Sequence, residues 1–137
     1  MERKTLWFVR GVSGSGKSTV ANKLRQYMPD ADGVEADDFR YIDGKYVYDE
    51  KGNYHAHQGC FYQAQHLVET GFHNVIVSNT STRRRDVKKY RDLTVSCGYN
   101  FISIVVENYH ETGNVHGVQE DVLCKMEAQL LGSLKLK

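Results

Sequence analysis

The stretch Thr5-Leu6-Trp7-Phe8-Val9-Arg10-Gly11-Val12-Ser13-Gly14-Ser15-Gly16-Lys17-Ser18 decides the fold. Residues Thr5 to Val9 form a continuous β-prone run, the pattern of a strand covered on both faces. Directly after it, residues 11 to 18 satisfy G-x-x-x-x-G-K-[ST]. Glycines in such a loop let successive backbone N–H groups turn inward around phosphates. The lysine reaches the β and γ oxygens, and the hydroxyl of Ser18 ligates Mg²⁺. From Ser18 to about Tyr27, the apolar positions Val20, Leu24 and Tyr27 recur at helical spacing, and Pro29 closes the segment. The start of that helix adds its positive dipole end to the phosphate site. Strand, glycine loop and amphipathic helix together predict a site for ATP with Mg²⁺ on Gly11, Ser13, Gly14, Ser15, Gly16, Lys17 and Ser18, with Thr19 beside them.

Further along the chain, strand and helix signals alternate. A short strand fits Gly33 to Ala36 and ends at the pair Asp37-Asp38. Tyr41 to Tyr54 reads as a small hairpin excursion, with one turn at Asp43-Gly44 and another at Lys51-Gly52-Asn53. A helix is expected over His57 to Thr70, with Phe61, Ala64, Leu67 and Val68 on one face and Gly71 beyond its end. A strand follows at Val75-Ile76-Val77. A polar turn from Ser78 to Thr82 then leads into a basic helix, Arg83 to Cys97, stopped by Gly98. Phe101 to Val106 is the last strand and Val118 to Leu131 the last helix. Strands separated by helices imply parallel βαβ units, so the expected fold is α/β, a three-layer sandwich of a mainly parallel sheet with helices on both faces.

The bulk composition narrows the function classes. A chain of 137 residues has room for one core and too little for two ordinary domains, so residues 1–137 are read as a single domain. The formal charge of +1 gives no global attraction to nucleic acid or to an anionic membrane, so any polyanion must be held by a local cluster. No apolar run approaches membrane-spanning length, and the few apolar residues before the glycine loop are too short for a signal peptide. Cys60, Cys97 and Cys124 lie far apart without a CxxC pair, which fits neither a disulfide framework nor a zinc site. The expected setting is a reducing cytoplasm, the host's if the chain is phage-encoded.

Outside the glycine loop, several groups are candidates. In a parallel sheet the carboxyl end of the second strand borders the phosphate crevice. A carboxylate at Asp37 or Asp38 there could take the proton of an attacking hydroxyl or hold Mg²⁺, and Arg40 could reach a substrate phosphate. The plain alternative is that one of these aspartates caps a short helix. The run from Arg83 to Arg91 places Arg84, Lys88 and Arg91 on one helical face, suited either to nucleic-acid phosphates or simply to solvent. The tyrosines of the hairpin (Tyr41, Tyr46, Tyr48 and Tyr54) fit strand packing better than base stacking, and the His55/His57 pair lacks a third ligand for a metal.

The segments Arg10 to Thr19, Glu35-Ala-Asp-Asp-Phe-Arg40, Ala56-His57, Val75 to Thr82, Asp86 to Tyr90 and Asn114-Val-His-Gly-Val118 resemble the P-loop kinases related to bacteriophage polynucleotide 5′-kinase. They are also similar to the kinase-like domain of 2′,3′-cyclic-nucleotide phosphodiesterase. The resemblance spans residues 5 to 131 and implies transfer of the γ-phosphoryl group of ATP to a hydroxyl of a nucleotide or nucleic acid. By position it makes Asp37 the general base, puts Arg40 on a substrate phosphate, and places Thr80 in a turn lining the site. Family members also carry arginines in a lid before His-Gly-Val. Here residues 107 to 113 contain none, and only His110 or His116 stands nearby. The end of the strand Val77-Ser78-Asn79 likewise lacks an acidic residue that would order Mg²⁺, a task left to Asp37 or Asp38. The arginine-poor lid keeps a second reading open, an ATPase or a catalytically weak ATP-binding module acting through a partner. A GTP switch is disfavoured, because no Asn-Lys-x-Asp motif is present.

Overall fold

A computed structural model describes residues 3–12, 14–39, 41–42, 45–46, 50–81, 83–107 and 120–134, with backbone only for 41–42, 45–46 and 50–53. Strand β1 (Thr5–Arg10) leads through the glycine loop into helix α1 (Lys17–Tyr27). Strand β2 (Ala31–Glu35) is followed by a 3₁₀ turn, Ala36–Phe39. Two short strands, β3 (Tyr41–Ile42) and β4 (Lys45–Tyr46), precede the long helix α2 (Glu50–Thr70). Strand β5 (Asn74–Asn79), helix α3 (Arg84–Cys97), strand β6 (Asn100–Val105) and helix α4 (Glu120–Leu131) complete the order.

The main sheet is four-stranded in the order β2-β5-β1-β6, with every pair parallel. Strand β1 is paired on both sides, Leu6 facing Val75 on β5 and Phe101 on β6. Because side chains alternate along a strand, the two faces collect different partners. On one face Leu6, Phe8, Val34, Val75 and Val77 meet Ala56, Cys60, Ala64 and Val68 of α2 and Val87, Tyr90 and Leu93 of α3. On the other, Val9 and Ile76 meet Ala21 of α1, with Trp7, Val20, Leu24 and Ile104 around them. Helices therefore cover both faces, and Leu6 to Val9 is apolar without alternation because both faces of its strand are packed, with Trp7 half-buried.

Most of the expected elements form within one or two residues of their expected ends. The second strand begins two residues earlier than expected and ends one residue earlier, since Ala36 opens the 3₁₀ turn instead of ending β2. The β3 and β4 strands pair antiparallel, Tyr41 with Tyr46, as the first half of the expected hairpin requires. The second half is corrected: Lys51-Gly52-Asn53 is helical, and α2 begins seven residues before His57. Glycine and asparagine cost a helix least in its first turn, where the backbone N–H groups have no intrahelical partner anyway. The small side chains of Ala56, Cys60 and Ala64, each fully buried and four residues apart, extend the packing face upstream. His57, expected as the first residue of this helix, lies within it. No helix among the described residues is long and apolar enough to cross a membrane.

Two buried polar groups tie the layers together. Arg10, wholly buried at the end of β1, donates from Nε to Ser103 Oγ at 3.2 Å, from Nη1 to Ser133 Oγ at 3.0 Å and from Nη2 to the Ser133 carbonyl at 2.6 Å. These hydrogen bonds offset the cost of burying the charge, which pulls the guanidinium pKa below its ordinary value. Beneath the α2–α3 face, Asn79 Nδ2 donates to Tyr90 Oη at 3.3 Å and to Cys60 Sγ at 3.4 Å. Burial pushes the Cys60 thiol up to about 11 and raises the Tyr90 hydroxyl as well.

All three cysteines are free thiols, with Cys97 and Cys124 exposed. Titration with a thiol reagent at pH 8 is expected to label two cysteines at once and Cys60 only on unfolding. Since the folded-state pKa of Cys60 lies above its unfolded value, its contribution to stability is intact below about pH 8.5 and fades as pH rises toward 11. Roughly 2 to 3 kcal/mol should be lost across that window, read as a fall in the denaturant midpoint. A Cys60→Ala variant should lose less over the same range.

Candidate functional site

Parallel strands send all their carboxyl ends to one edge of the sheet, so the loops after β1, β2 and β5 converge there. Lys17, Ser18, Glu35, Ala36, Asp37, Ser78, Asn79 and Thr80 line a cleft at this edge. Residues distant in sequence, from the glycine loop, the Asp37 turn and the Thr80 turn, thus meet in one place.

The loop conformation depends on its glycines. Gly14 and Gly16 adopt φ of 80° and 91°, in the left-handed region that a side chain disfavours. A Cβ on Gly11 would come within 2.5 Å of Ser15 Oγ and 2.7 Å of the Val106 carbonyl. Gly16 caps α1, so the first N–H groups of the helix open onto the cleft edge that Lys17 and Ser18 line. Lys17 is buried and Thr19 exposed, while Ser15 is buried with no hydrogen-bond partner for its hydroxyl among the described residues. Ser13 and Arg40 lie outside the described residues, as do His110 and His116 of the lid segment.

The two aspartates part company within a single 3₁₀ turn. Asp38 Oδ2 accepts the Glu35 backbone N–H at 3.1 Å, which is the capping role, whereas Asp37 lines the cleft beside Lys17 and Ser18. The turn itself is seated from two directions. Asn79 Oδ1 accepts the Ala36 N–H at 2.8 Å, and the Phe39 ring lies on Gly59 of α2, so close that a Cβ there would meet ring carbons at 2.9 and 3.1 Å.

Two residues that composition and spacing left without a role are central here. Glu35, the last residue of β2, accepts a hydrogen bond from Ser18 Oγ at 3.2 Å. Burial raises its carboxyl pKa, the Ser18 hydrogen bond lowers it, Asp38 and Asp37 raise it again, and Lys17 lowers it. Asn79 bridges the Asp37 turn to α2 and α3 through the contacts given above. The alternation of β5 explains the second case, because Ser78 faces α1 and Asn79 the opposite layer. Neither role is readable without knowing which strands are neighbours.

The basic face of α3 forms as expected. Arg84, Arg85, Lys88 and Arg91 line, among the described residues, a surface groove of about 380 Å³, and Lys88 pairs with Asp92 at 3.0 Å. Arg84 stands at the first position of the helix and does not line the cleft itself. Among the described residues no group of three or more His, Cys, Asp or Glu could hold a metal ion.

The chain is similar to known proteins in sequence and in fold. The human NEDD4-binding protein 2 is 27% identical over 128 residues, covering 88% of this chain and 7% of that protein, so the chain spans only a small part of its relative. A chain of the Pnkp1/Rnl/Hen1 RNA repair complex superposes with a TM-score of 0.76 at 19% identity, covering 98% of this chain and 46% of the other. The APS kinase CysC of Mycobacterium tuberculosis superposes with a TM-score of 0.56 at 18% identity, covering 97% and 98%. The α/β fold is thus that of P-loop nucleoside-triphosphate-binding proteins. Residues 6–114 match the AAA domain family, and the chain belongs to that family.

Proposed function

We propose that residues 1–137 act as one ATP-dependent phosphotransferase domain, moving the γ-phosphoryl group of Mg·ATP to a hydroxyl of a nucleotide or nucleic acid. The observation that carries this reading is the shared cleft of Lys17, Ser18 and Asp37: a polyphosphate-binding lysine, a cation-binding hydroxyl and a carboxylate at one sheet edge. A cation-binding hydroxyl alone would suit a hydrolase or a switch. A carboxylate on a separately anchored turn suits the removal of a proton from an acceptor.

The residues divide the work. Backbone N–H groups of Gly11 to Ser18 and the start of α1 hold the phosphates, and Lys17 neutralises charge on the transferring group. The cleft's hard oxygen donors, Ser18, Glu35 and Asp37, and the buried unpartnered Ser78 hydroxyl suit Mg²⁺, which supplies charge neutralisation when bound. Asp37 accepts the acceptor proton as the new O–P bond forms and the β–γ bridging P–O bond breaks, with ADP leaving. Arg40, Asp38 and Thr80 are assigned to the acceptor side. Arg84, at the head of the basic face of α3, is positioned for the phosphates of a longer acceptor.

Incubation with γ-labelled ATP, Mg²⁺ and a panel of 5′-hydroxyl DNA, 5′-hydroxyl RNA and nucleosides should place label on an acceptor. Label appearing only as free phosphate would replace this reading with a hydrolase. Asp37→Asn is expected to cut transfer by roughly 100-fold or more with ATP affinity kept. Lys17→Ala should weaken triphosphate binding itself.

Anchoring of the turn gives a separate check. Gly59→Ala improves helix propensity by about 1 kcal/mol, so α2 should persist, yet the added methyl displaces Phe39 and with it Asp37. Transfer is expected to fall roughly 10- to 100-fold at unchanged ATP affinity, with partial recovery when Phe39→Leu is added. A Gly59→Ala enzyme with full kcat would show that Phe39 does not seat the turn.

A further inference from the structure

We infer that Glu35 is the carboxylate that orders the divalent cation carried in with the nucleotide, standing in for an acid that the end of β5 does not supply. The inference rests on the nucleotide-binding reading above and singles out one of its candidate cation donors.

Residues 77 to 79 of β5 are Val, Ser and Asn, so the strand end that borders the phosphates carries no negative charge. The sequence leaves Asp37 or Asp38 to fill the role. Asp38 is committed to the Glu35 backbone N–H, and Asp37 sits on the 3₁₀ turn beyond the strand. Glu35 alone among the three makes a described hydrogen bond to Ser18, its Oε2 lying 3.2 Å from the hydroxyl that the loop motif directs at Mg²⁺. A carboxylate bonded to the hydroxyl ligand of a hard cation is placed either to hold that cation through a water or to fix the ligand for it.

A second, independent observation comes from the sheet. In the β2–β5 pairing, Glu35 is the register partner of Ser78. Ser78 Oγ is buried, lines the same cleft and has no hydrogen-bond partner among the described residues. At the same level of the sheet, the serine of β5 therefore offers an unused oxygen toward the cleft that Glu35 also lines. Adjacent parallel strands lie about 4.8 Å apart, a gap that the two extra carbons of a glutamate side chain can reach across. The unused hydroxyl also distinguishes this arrangement from a glutamate that merely packs against α1, since such a residue would leave no polar group waiting opposite.

The test reads binding, with turnover excluded. Titration calorimetry with a non-hydrolysable ATP analogue, without and with Mg²⁺, is expected to show a clear gain in affinity for the wild-type chain when the cation is present. Glu35→Ala and Glu35→Gln should lose that gain by roughly 10- to 100-fold while binding the analogue without cation at least as well as wild type. Paramagnetic resonance of Mn²⁺ in the ternary mixture should report the same loss. Restoring a carboxylate across the strand pair, as Glu35→Ala with Ser78→Asp, is expected to recover most of the gain, which a packing role for Glu35 would not predict. Full cation dependence in both single variants would overturn the assignment while leaving the nucleotide site intact. Absence of analogue binding by the wild-type chain with or without Mg²⁺ would overturn both.

Discussion

The directional run of four parallel strands is the constraint on which everything else depends. A parallel ladder forces each strand to be followed by a crossing helix and returns every chain exit to the same edge. With β1 at the interior of the sheet and buried on both faces, its exit cannot drift, and the glycine loop is held where the exits of β2 and β5 also arrive. The cleft is thus a product of topology before it is a product of particular side chains. Chemistry enters only through what each exit carries: amides and a lysine after β1, carboxylates at and after β2, and small polar groups at and after β5.

The two faces of that sheet are used for different ends. On the α1 side, the charged and hydroxyl groups of Ser18, Glu35 and Ser78 gather within reach of one another. On the α2–α3 side, Asn79 spends its amide on Tyr90, Cys60 and the Ala36 N–H, converting a buried polar residue into a bracket for the turn that bears Asp37. Ser78 and Asn79, neighbours in sequence on one strand, therefore meet different surroundings, because alternation sends them to opposite layers. A network of this kind is costly if left half satisfied, and here the described donors and acceptors of Asn79 are matched.

Much of this was legible in the sequence. The unbroken apolar run before the glycines, the helical spacing after them, and the glycine stops at Gly71 and Gly98 report local physics, and they gave the sheet and its covering helices. Lys17 and Ser18, the loop residues that line the cleft, were legible for the same reason, since their motif lies in one short segment. Glu35 and Asn79 were not, because each acts on a partner more than fifteen residues away and only strand order reveals it. Local propensity also misled at Lys51-Gly52-Asn53, where turn-forming residues were absorbed into the first turn of α2 by the packing of Ala56 and Cys60 further along. The departure of Asp38 from Asp37 was left open by spacing, since either could cap.

Two of the hydrogen bonds of Arg10 join residues 123 positions apart. During synthesis, β1 and the loop that follows it leave the ribosome well before Ser133, which lies 123 residues after Arg10. Until it emerges, the guanidinium at the root of the loop lacks two of its three hydrogen bonds and keeps water in their place. The nucleotide loop therefore acquires its rigid base late, and a nascent chain of this protein carries the loop's sequence well before it carries the loop's shape.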